Sequence, residues 1–296
     1  MINDDKQKVA VGEQHPDTLQ TLSCLALTFK AQGRYSEAEE TCKKCLAGQK
    51  EVLGEQHPET LGTMVNLAAT YRAMGKLSDA EVLYKKCLLK QTSTIGENHP
   101  DTLSTMQNLA NTNREQGKLS EAELLCKQCL ERRIVAIGKN HPNTLQAKMN
   151  LANIYFAQAK YVEAEKLYKE SFDQQKSVIG ENHPNTLTTM VNLAAAYNSL
   201  GRSADSEVLL KQCLLKQKSV IGDSHPNTLQ TMTNLANTYL AQAKYLEAEV
   251  LYKQCLLKQK STIGENHPST IQTKTNLATL YRSQGKFSEA DALFKK

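Results

Sequence analysis

The sequence contains no tryptophan, and aromatic residues make up only 5% of its 296 residues. Hydrophobic residues reach 40%, so an apolar core must consist mainly of leucine, alanine, methionine, cysteine and tyrosine. Neither sign of charge dominates, because the formal net charge is only +5, and it is spread along the chain. Nucleic-acid-binding proteins usually show a basic stripe with interleaved aromatic residues. We therefore expect no nucleic-acid partner.

Signals for membrane insertion and for secretion are missing as well. No stretch of about 18 apolar residues occurs, so we predict no membrane-spanning helix and no membrane partner. The first residues, Met1-Ile2-Asn3-Asp4-Asp5, have neither the basic region nor the apolar region of a signal peptide. The chain has eight cysteines, and unpaired thiols suit a reducing compartment. These features predict a cytoplasmic protein.

Motifs for catalysis are missing too. The sequence has no Gly-x-x-x-x-Gly-Lys-Ser/Thr loop, which would cradle phosphates, and no Gly-x-Ser-x-Gly turn, which would present a nucleophilic serine. No other set of residues has the spacing of a catalytic site. We predict that the chain is not an enzyme and needs no cofactor.

What the sequence has instead is the dipeptide His-Pro at a constant interval of 42 residues, which predicts stacked repeats that each bury an apolar face against their neighbours. It begins at His15, His57, His99, His141, His183, His225 and His267. We assign seven repeats in one continuous solenoid, at residues 12–53, 54–95, 96–137, 138–179, 180–221, 222–263 and 264–296, the last of them truncated. Residues 1–11 resemble the end of the second helix of a preceding repeat. We therefore expect a fragment of a longer array, whose exposed apolar ends favour end-to-end self-association.

The second repeat illustrates the two helices that each repeat predicts. Pro58 suits the first position of helix A after an N-cap at His57. Apolar residues then recur at three- and four-residue spacing, until Gly75 ends the helix at about residue 74. Helix B follows to about residue 94, and we interpret Ser78 and Glu81 as a capping box. The same pair recurs as Ser36/Glu39 and Ser120/Glu123.

Two repeats depart from this pattern at the turn between the helices. Ala159 and Ala243 stand where the second repeat has Gly75. Because alanine is disfavoured in the left-handed conformation, we expect an altered turn in these two repeats.

The residues of the second repeat resemble a known repeat signature, in Asn66-Leu67-Ala68, Tyr71, Gly75-Lys76, Ala80-Glu81, Tyr84 and Cys87. This pattern resembles the tetratricopeptide repeat. The longer period, with Gly-x-x-His-Pro-x-Thr-Leu and Asn-Leu-Ala, is similar to the 42-residue repeats of kinesin light chains and covers essentially the whole chain. The resemblance implies an all-α fold, a right-handed superhelical solenoid of antiparallel helix pairs. Helix A would line its concave surface and helix B its convex surface.

Histidine and cysteine invite a metal-site interpretation, which their spacing disfavours. The histidines lie one per repeat, and neighbouring helices pack about 8–10 Å apart, too far for ligands that must each lie about 2 Å from one zinc ion. The pairs Cys42/Cys45 and Cys126/Cys129 are two repeats apart. We predict no metal site, and we interpret the recurring cysteines of helix B as small packing residues.

An asparagine recurs every 42 residues on helix A, at Asn66, Asn108, Asn150, Asn192, Asn234 and Asn276, which we call the asparagine ladder. Only the first repeat breaks it, with Cys24. A carboxamide both donates and accepts hydrogen bonds, so a ladder of them suits an extended peptide backbone. In kinesin-light-chain-like repeats the matching asparagines have that role. The alternative is that the amides bond to the next repeat and stiffen the stack, and both roles are compatible.

Variable positions six residues after the ladder suggest specificity. They hold Lys30, Arg72, Arg114, Phe156, Asn198, Leu240 and Arg282. The first three are basic, so we predict that the N-terminal half prefers an acidic segment, with an apolar anchor near Phe156 and Tyr155. The alternative is a solvated basic fringe without a binding role.

Two functions remain open from the sequence. The first is a protein-interaction scaffold, a cargo adaptor that resembles the repeat domain of kinesin light chains and binds a peptide segment of its partner. The second is the sensor or oligomerisation tail of a larger signalling NTPase of the STAND type. A coiled coil upstream would favour the first and a phosphate-binding loop the second.

Overall fold

The helices follow one another in pairs along the chain. The computed structural model describes residue 12 and residues 14–294, and within them every regular element is an α-helix. A three-residue connection inside each pair reverses the chain direction. In chain order the helices are α1 Pro16–Ala31, α2 Tyr35–Val52, α3 Pro58–Ala73, α4 Leu77–Thr94, α5 Pro100–Glu115, α6 Leu119–Ile137, α7 Pro142–Ala157, α8 Tyr161–Val178, α9 Pro184–Ser199, α10 Ser203–Val220, α11 Pro226–Ala241, α12 Tyr245–Thr262, α13 Pro268–Ser283 and α14 Phe287–Ala292.

The predicted all-α class of antiparallel helix pairs is confirmed. Odd-numbered helices are the predicted helix A of each repeat, and even-numbered helices are the predicted helix B. The helix end predicted within residues 1–11 lies outside the described residues.

The His-Pro motif begins each odd-numbered helix, as predicted. In α3 the backbone N–H of Glu59 donates to Nδ1 of His57 at 3.3 Å, and Pro58 occupies the first helical position. The hydroxyl of Thr60 donates to the carbonyl of Gly54 at 2.9 Å, which ties the preceding loop to the helix. The first N–H groups of a helix have no partner inside it, so the imidazole satisfies a donor that would otherwise depend on water.

The predicted capping boxes of the even-numbered helices are wrong. Helix α4 begins at Leu77, so Ser78 lies inside its first turn, and its N-cap makes no side-chain hydrogen bond. Glu81 instead accepts hydrogen bonds from the ammonium groups of Lys118 and Lys85, each at 2.6 Å. Helices α2 and α6 likewise begin at the residue before the predicted capping serine, so Ser36/Glu39 and Ser120/Glu123 form no capping box either.

Glu81 is a link between repeats, because Lys118 belongs to the next repeat. The hydrogen bonds from Lys118 and Lys85 lower the pKa of the Glu81 carboxyl to about 2. The equivalent Glu207 bonds Lys211 at 2.6 Å and Lys244 of the next repeat at 2.7 Å. Glu81 and Glu207 therefore each join one repeat to the following one.

The predicted change of turn at Ala159 and Ala243 is also wrong. Both alanines adopt a left-handed backbone, with φ of 59° and 58°, close to the 75° of Gly75. After Ala159 the N–H of Lys160 donates to the carbonyl of Tyr155 at 2.9 Å, the length of the equivalent bond after Gly75. The packed helices thus hold alanine in a conformation that costs about 1–2 kcal/mol.

The chain divides into two compact units, Met1–Asn150 and Leu151–Lys296. In each unit, leucine and methionine side chains of the odd-numbered helices pack beside small side chains that are completely buried. These small residues include Ala68, Ala80 and Cys87 in the first unit and Ala194, Cys213, Ala236 and Cys255 in the second. Small side chains let neighbouring helices approach closely, which keeps the core dense without tryptophan.

The recurring cysteines fill these close-packing positions. The thiol of Cys87 donates to the carbonyl of Leu61 at 3.5 Å, and the equivalent thiols at Cys45, Cys129, Cys213 and Cys255 make the same contact 26 residues back. Burial raises the pKa of the Cys87 thiol to about 12. A buried thiol with a raised pKa is a poor nucleophile, which agrees with the predicted packing role.

Odd-numbered helices lie on the closer-packed side of each unit. Helix α3 contacts both α1 and α5, and α11 contacts both α9 and α13. Among the described residues of either unit, no even-numbered helix contacts the next even-numbered one. In each unit, therefore, the helices that carry the asparagine ladder contact the next helix of the same kind.

Replacing Ala159 or Ala243 by glycine should raise the free energy of unfolding by about 1 kcal/mol each, because glycine adopts positive φ without Cβ repulsion. Urea unfolding followed by circular dichroism measures the change. The reciprocal variant Gly75→Ala should lose a similar amount, and since an added Cβ there meets no atom within 4 Å, only the backbone is tested. Equal stability of all variants would contradict the assigned strain.

Candidate functional site

The asparagine ladder is half-buried on the odd-numbered helices. In the first unit the side-chain amides of Asn66 and Asn108 make no hydrogen bond with any described residue. Each retains two donors and an acceptor for another molecule. These two amides therefore have the freedom that peptide binding requires.

The other four ladder amides already have protein partners. Gln146 donates to Oδ1 of Asn150 at 3.2 Å, and glutamines one turn before Asn234 and Asn276 do the same at 3.1 and 2.9 Å. Asn192 donates to Oδ1 of Asn153 in the preceding repeat at 3.3 Å. Of these four, Asn192 and Asn276 bond to the preceding repeat, as the stiffening alternative requires, whereas the printed partners of Asn150 and Asn234 lie in their own helices.

The residue four positions before each ladder asparagine explains much of the difference. Glutamine stands there at Gln146, Gln230 and Gln272, each in contact with its asparagine. Gly62 and Ser104 stand before Asn66 and Asn108, and they are too short to reach the amides. Sequence reasoning missed this position, although the column of glutamines is visible in the repeat alignment.

A second set of amides lies three residues after the ladder. Asn153 accepts a hydrogen bond from the hydroxyl of Tyr168 at 2.6 Å, and Asn237 accepts one from Tyr252. Asn276 donates to Asn237 at 3.0 Å. In the second unit, a buried tyrosine, one of these asparagines and the ladder asparagine of the next repeat thus form a network at each of two junctions, Tyr168–Asn153–Asn192 and Tyr252–Asn237–Asn276.

The second repeat lacks such a network. Tyr84 is completely buried and its hydroxyl has no hydrogen-bond partner among the described residues. Burial raises the pKa of Tyr84 to about 12. Ala69 occupies the position that holds Asn153 and Asn237 elsewhere. The hydroxyl is therefore left without the acceptor that its equivalents have.

A cavity of about 220 Å³ borders Asn66. It lies between α3 and α5 and is lined by Gly62, Val65, Asp101 and Ser104 as well as by the asparagine itself. The absence of a side chain at Gly62 leaves space beside the free amide.

Of the three basic residues beside the ladder in the first unit, Arg72 and Arg114 share one carboxylate. Arg72 Nε lies 3.6 Å from Glu115 Oε2, and an Nη of Arg114 lies 4.0 Å from the other oxygen. Burial, followed by the nearby charge of Arg72, lowers the pKa of Lys30. Lys30 forms no ion pair with the described residues. Three cations and one anion leave this surface positive.

Phe156 lies in the second unit and packs with Tyr155 against a core that includes Ala152 and Tyr168. Its ring meets Tyr161 edge-on, with 5.3 Å between the ring centroids. Phe156 also borders a cavity of about 200 Å³. Three amides line that cavity, those of Asn198, Asn234 and Asn237.

The histidines and cysteines form no metal-ligand cluster in the part of the chain that is described, where no group of three or more His, Cys, Asp or Glu side chains converges. Each histidine uses Nδ1 in its helix cap, as His57 does. Among the described helices, none is long and apolar enough to cross a membrane.

The repeat sequence matches a known family over most of its length. The tetratricopeptide-repeat profile matches residues 17–88, 60–134, 143–214, 190–257 and 234–296. The chain belongs to the tetratricopeptide-repeat family. Its repeats are of the 42-residue, kinesin-light-chain-like type. Folds of this family are typically binding scaffolds without catalytic activity.

Solved structures of the family are similar to the chain. A kinesin light chain with nearly identical TPR-like repeats, from Podosopora anserina, is 28% identical over 70% of this chain and 98% of that chain, with a TM-score of 0.61. The quorum sensor NprR from B. thuringiensis is 18% identical over 98% of this chain and 78% of its own, with a TM-score of 0.73. A STAND protein with a tetratricopeptide-repeat sensor, from Pyrococcus horikoshii, is 16% identical over 94% and 41%, with a TM-score of 0.70. The last two share the fold alone, and no curated protein sequence matches.

Replacing Ala69 by asparagine should raise the free energy of unfolding by about 1 kcal/mol, because the new carbonyl can accept the buried Tyr84 hydroxyl. Urea unfolding again provides the measurement. Ala195→Asn is the matched control, since Leu210 stands where the tyrosine would be and offers no hydroxyl. A gain in the control as large as in Ala69→Asn would contradict the assigned role of Tyr84.

Proposed function

We propose that the chain is a protein-interaction scaffold that binds an extended peptide segment of a partner along its odd-numbered helices, in the manner of a kinesin-light-chain-like cargo adaptor. The observation that carries the proposal is the pair of free amides at Asn66 and Asn108. Both amides lie on the closer-packed side of the first unit, and Asn66 borders an open cavity. The proposed scaffold is a non-catalytic protein of the cytoplasm.

The proposed contacts divide by chemistry. The ladder amides form hydrogen bonds with the peptide backbone. Asn66 and Asn108 can do so directly, whereas the other four must first break their present hydrogen bonds. A contact with the backbone does not depend on the peptide sequence, because almost every residue offers the same N–H and C=O groups. The ladder would therefore supply affinity for peptides of many different sequences.

Selectivity would come from the column beside the ladder. Arg72 and Arg114 share the single carboxylate of Glu115, and Lys30 adds a third positive charge, so an acidic peptide segment is the complementary partner. Phe156 is the proposed apolar anchor of the second unit, at the edge of its amide-lined cavity.

A second candidate is a sensor or oligomerisation tail of a larger signalling NTPase. It is supported by the fold shared with the sensor of the Pyrococcus horikoshii STAND protein. End-to-end self-association belongs to this candidate. Size-exclusion chromatography with light scattering tests the self-association, and the sequence of the parent protein tests the presence of a nucleotide-binding domain.

The Asn66→Ala/Asn108→Ala double variant should bind peptides about tenfold more weakly, because each lost hydrogen bond costs about 0.5–1.5 kcal/mol. Peptides selected from a displayed random library by the unmodified protein serve as probes, and fluorescence anisotropy measures Kd. The matched control is Asn234→Ala/Asn276→Ala, whose amides already have partners and whose loss should weaken binding less. Failure to select any peptide, or equal affinity of the first double variant, would argue against the proposal.

The Arg72→Ala/Arg114→Ala double variant should lose affinity for acidic peptides and should flatten the dependence of Kd on salt concentration. Arg282→Ala is the control, because it occupies the same column in the seventh repeat but lies 3.4 Å from its own partner Asp291. Unchanged affinity together with an unchanged salt slope would exclude the charge contribution and favour a solvated basic fringe.

A further inference from the structure

One junction between repeats differs from the others by a buried arginine. At the equivalent position near the end of the even-numbered helices, five repeats bury a glutamine with no more than 3% of its surface exposed, at Gln49, Gln91, Gln175, Gln217 and Gln259. The third repeat has Arg133 there, and it is only 7% exposed. A neutral amide has been replaced by a permanent charge in the same interior space.

A second substitution faces the first. At the following junction the hydroxyl of Thr189 donates to Oε1 of Gln175 at 2.6 Å. The residue equivalent to Thr189 in the fourth repeat is Ala147, which is completely buried. Arginine and alanine therefore replace the glutamine–threonine pair, and the smaller residue leaves space for the longer one.

The charge of Arg133 has no counter-ion in the described part of the chain. One Nη of Arg133 donates to the carbonyl of Asn143 at 2.6 Å, and no carboxylate among the described residues forms an ion pair with it. Burial raises the pKa of the nearby Cys129 thiol, and the charge of Arg133 and a hydrogen bond from its side chain oppose that rise. A buried cation without an anion is costly, and most of its five donors are left for another partner.

One residue of the loop that follows Arg133 carries a positive charge where the other repeats have a negative one. Other repeats carry an acid here, and Glu55, for example, lies 2.7 Å from Lys90. The fourth repeat carries Lys139, which has no ion pair with the described residues. This junction has therefore lost the usual anion and gained two unpaired cations.

A cavity of about 150 Å³ opens at Arg133. Its lining includes four exposed polar residues near the N-terminal ends of α5 and α7, Asn98, Ser104, His141 and Asn143, and four apolar ones, Pro100, Leu103, Ala136 and Ile137. Helix N-termini carry partial positive charge and favour anions. Arg133, the cavity and the two helix ends all belong to the first unit.

We propose that this cavity binds a compact oxyanion of the phosphate type, either as a free ion or on a side chain of a bound peptide. The guanidinium fork of Arg133 matches two oxygens of such an anion, and the N-terminal end of α7, which has no acidic residue in its first turn, supplies further positive potential. Ser104 at the rim lies one turn before Asn108, so an anion on a peptide would be adjacent to the ladder. The site does not depend on the proposed peptide function, because a free ion would occupy it equally.

The test compares phosphate with chloride at matched ionic strength by differential scanning calorimetry. Binding with a Kd of about 1 mM should raise the Tm of the unmodified protein by about 4 °C at about 20 mM phosphate. Arg133→Gln/Ala147→Thr rebuilds the pair found at the next junction and should fold, but it should lose this increment. Arg133→Gln alone provides a second variant with the same expectation. Arg132→Gln, which removes a neighbouring charge that pairs with Glu97, should keep the increment.

Calorimetric titration with N-acetyl-phosphoserine methylamide distinguishes the two sources of the anion. Binding of both this compound and phosphate would assign the site to an anion on a peptide, and binding of phosphate alone would assign it to a free ion. An increment in Tm that is equal in the unmodified protein and in both Arg133 variants would reflect general salt stabilisation and would overturn the proposal.

Discussion

Close approach of neighbouring helices is the constraint on which the rest of the structure depends. Completely buried alanine and cysteine side chains, such as Ala68 and Cys87, leave no room for a bulkier residue between helices. Each repeat can bury its apolar face only against the repeats beside it, so the same small residues must return at the same interval. The 42-residue spacing of His-Pro follows from this requirement, and so does the alignment of ladder asparagines on neighbouring odd-numbered helices.

Much of this fold was predictable because local signals and packing agree. His57, Pro58 and Gly75 gave the ends of α3 to within one residue, since each has a backbone role that few other residues fill. The capping boxes failed because Glu81 has stronger partners, the two lysines, than the backbone N–H that the motif supplies. The turns at Ala159 and Ala243 failed because tertiary packing overrides a local preference of 1–2 kcal/mol.

The positions of the candidate-site residues were predictable, but which of their amides already have hydrogen-bond partners was not. A column of asparagines is visible in the sequence, but whether an amide is free depends on a side chain one turn away and on another repeat. Gln146 engages Asn150, whereas Gly62 leaves Asn66 unengaged. The clustering of Arg72 and Arg114 around Glu115 similarly needs three-dimensional positions, because the two arginines lie on different helices. Phe156 was chosen for its aromatic ring, and only the structure relates it to an amide-lined cavity.

The ion pairs at Glu81 and Glu207 also bear on how the chain folds. Glu81 reaches Lys118, which is 37 residues away, and the Cys87 contact spans 26 residues. Stabilising contacts of this kind are short in sequence, so forming them costs little loop entropy and local nuclei can grow in either direction. A chain held together in this way is expected to fold rapidly and to lose its outermost repeats first, because a terminal repeat has one neighbour where an interior repeat has two.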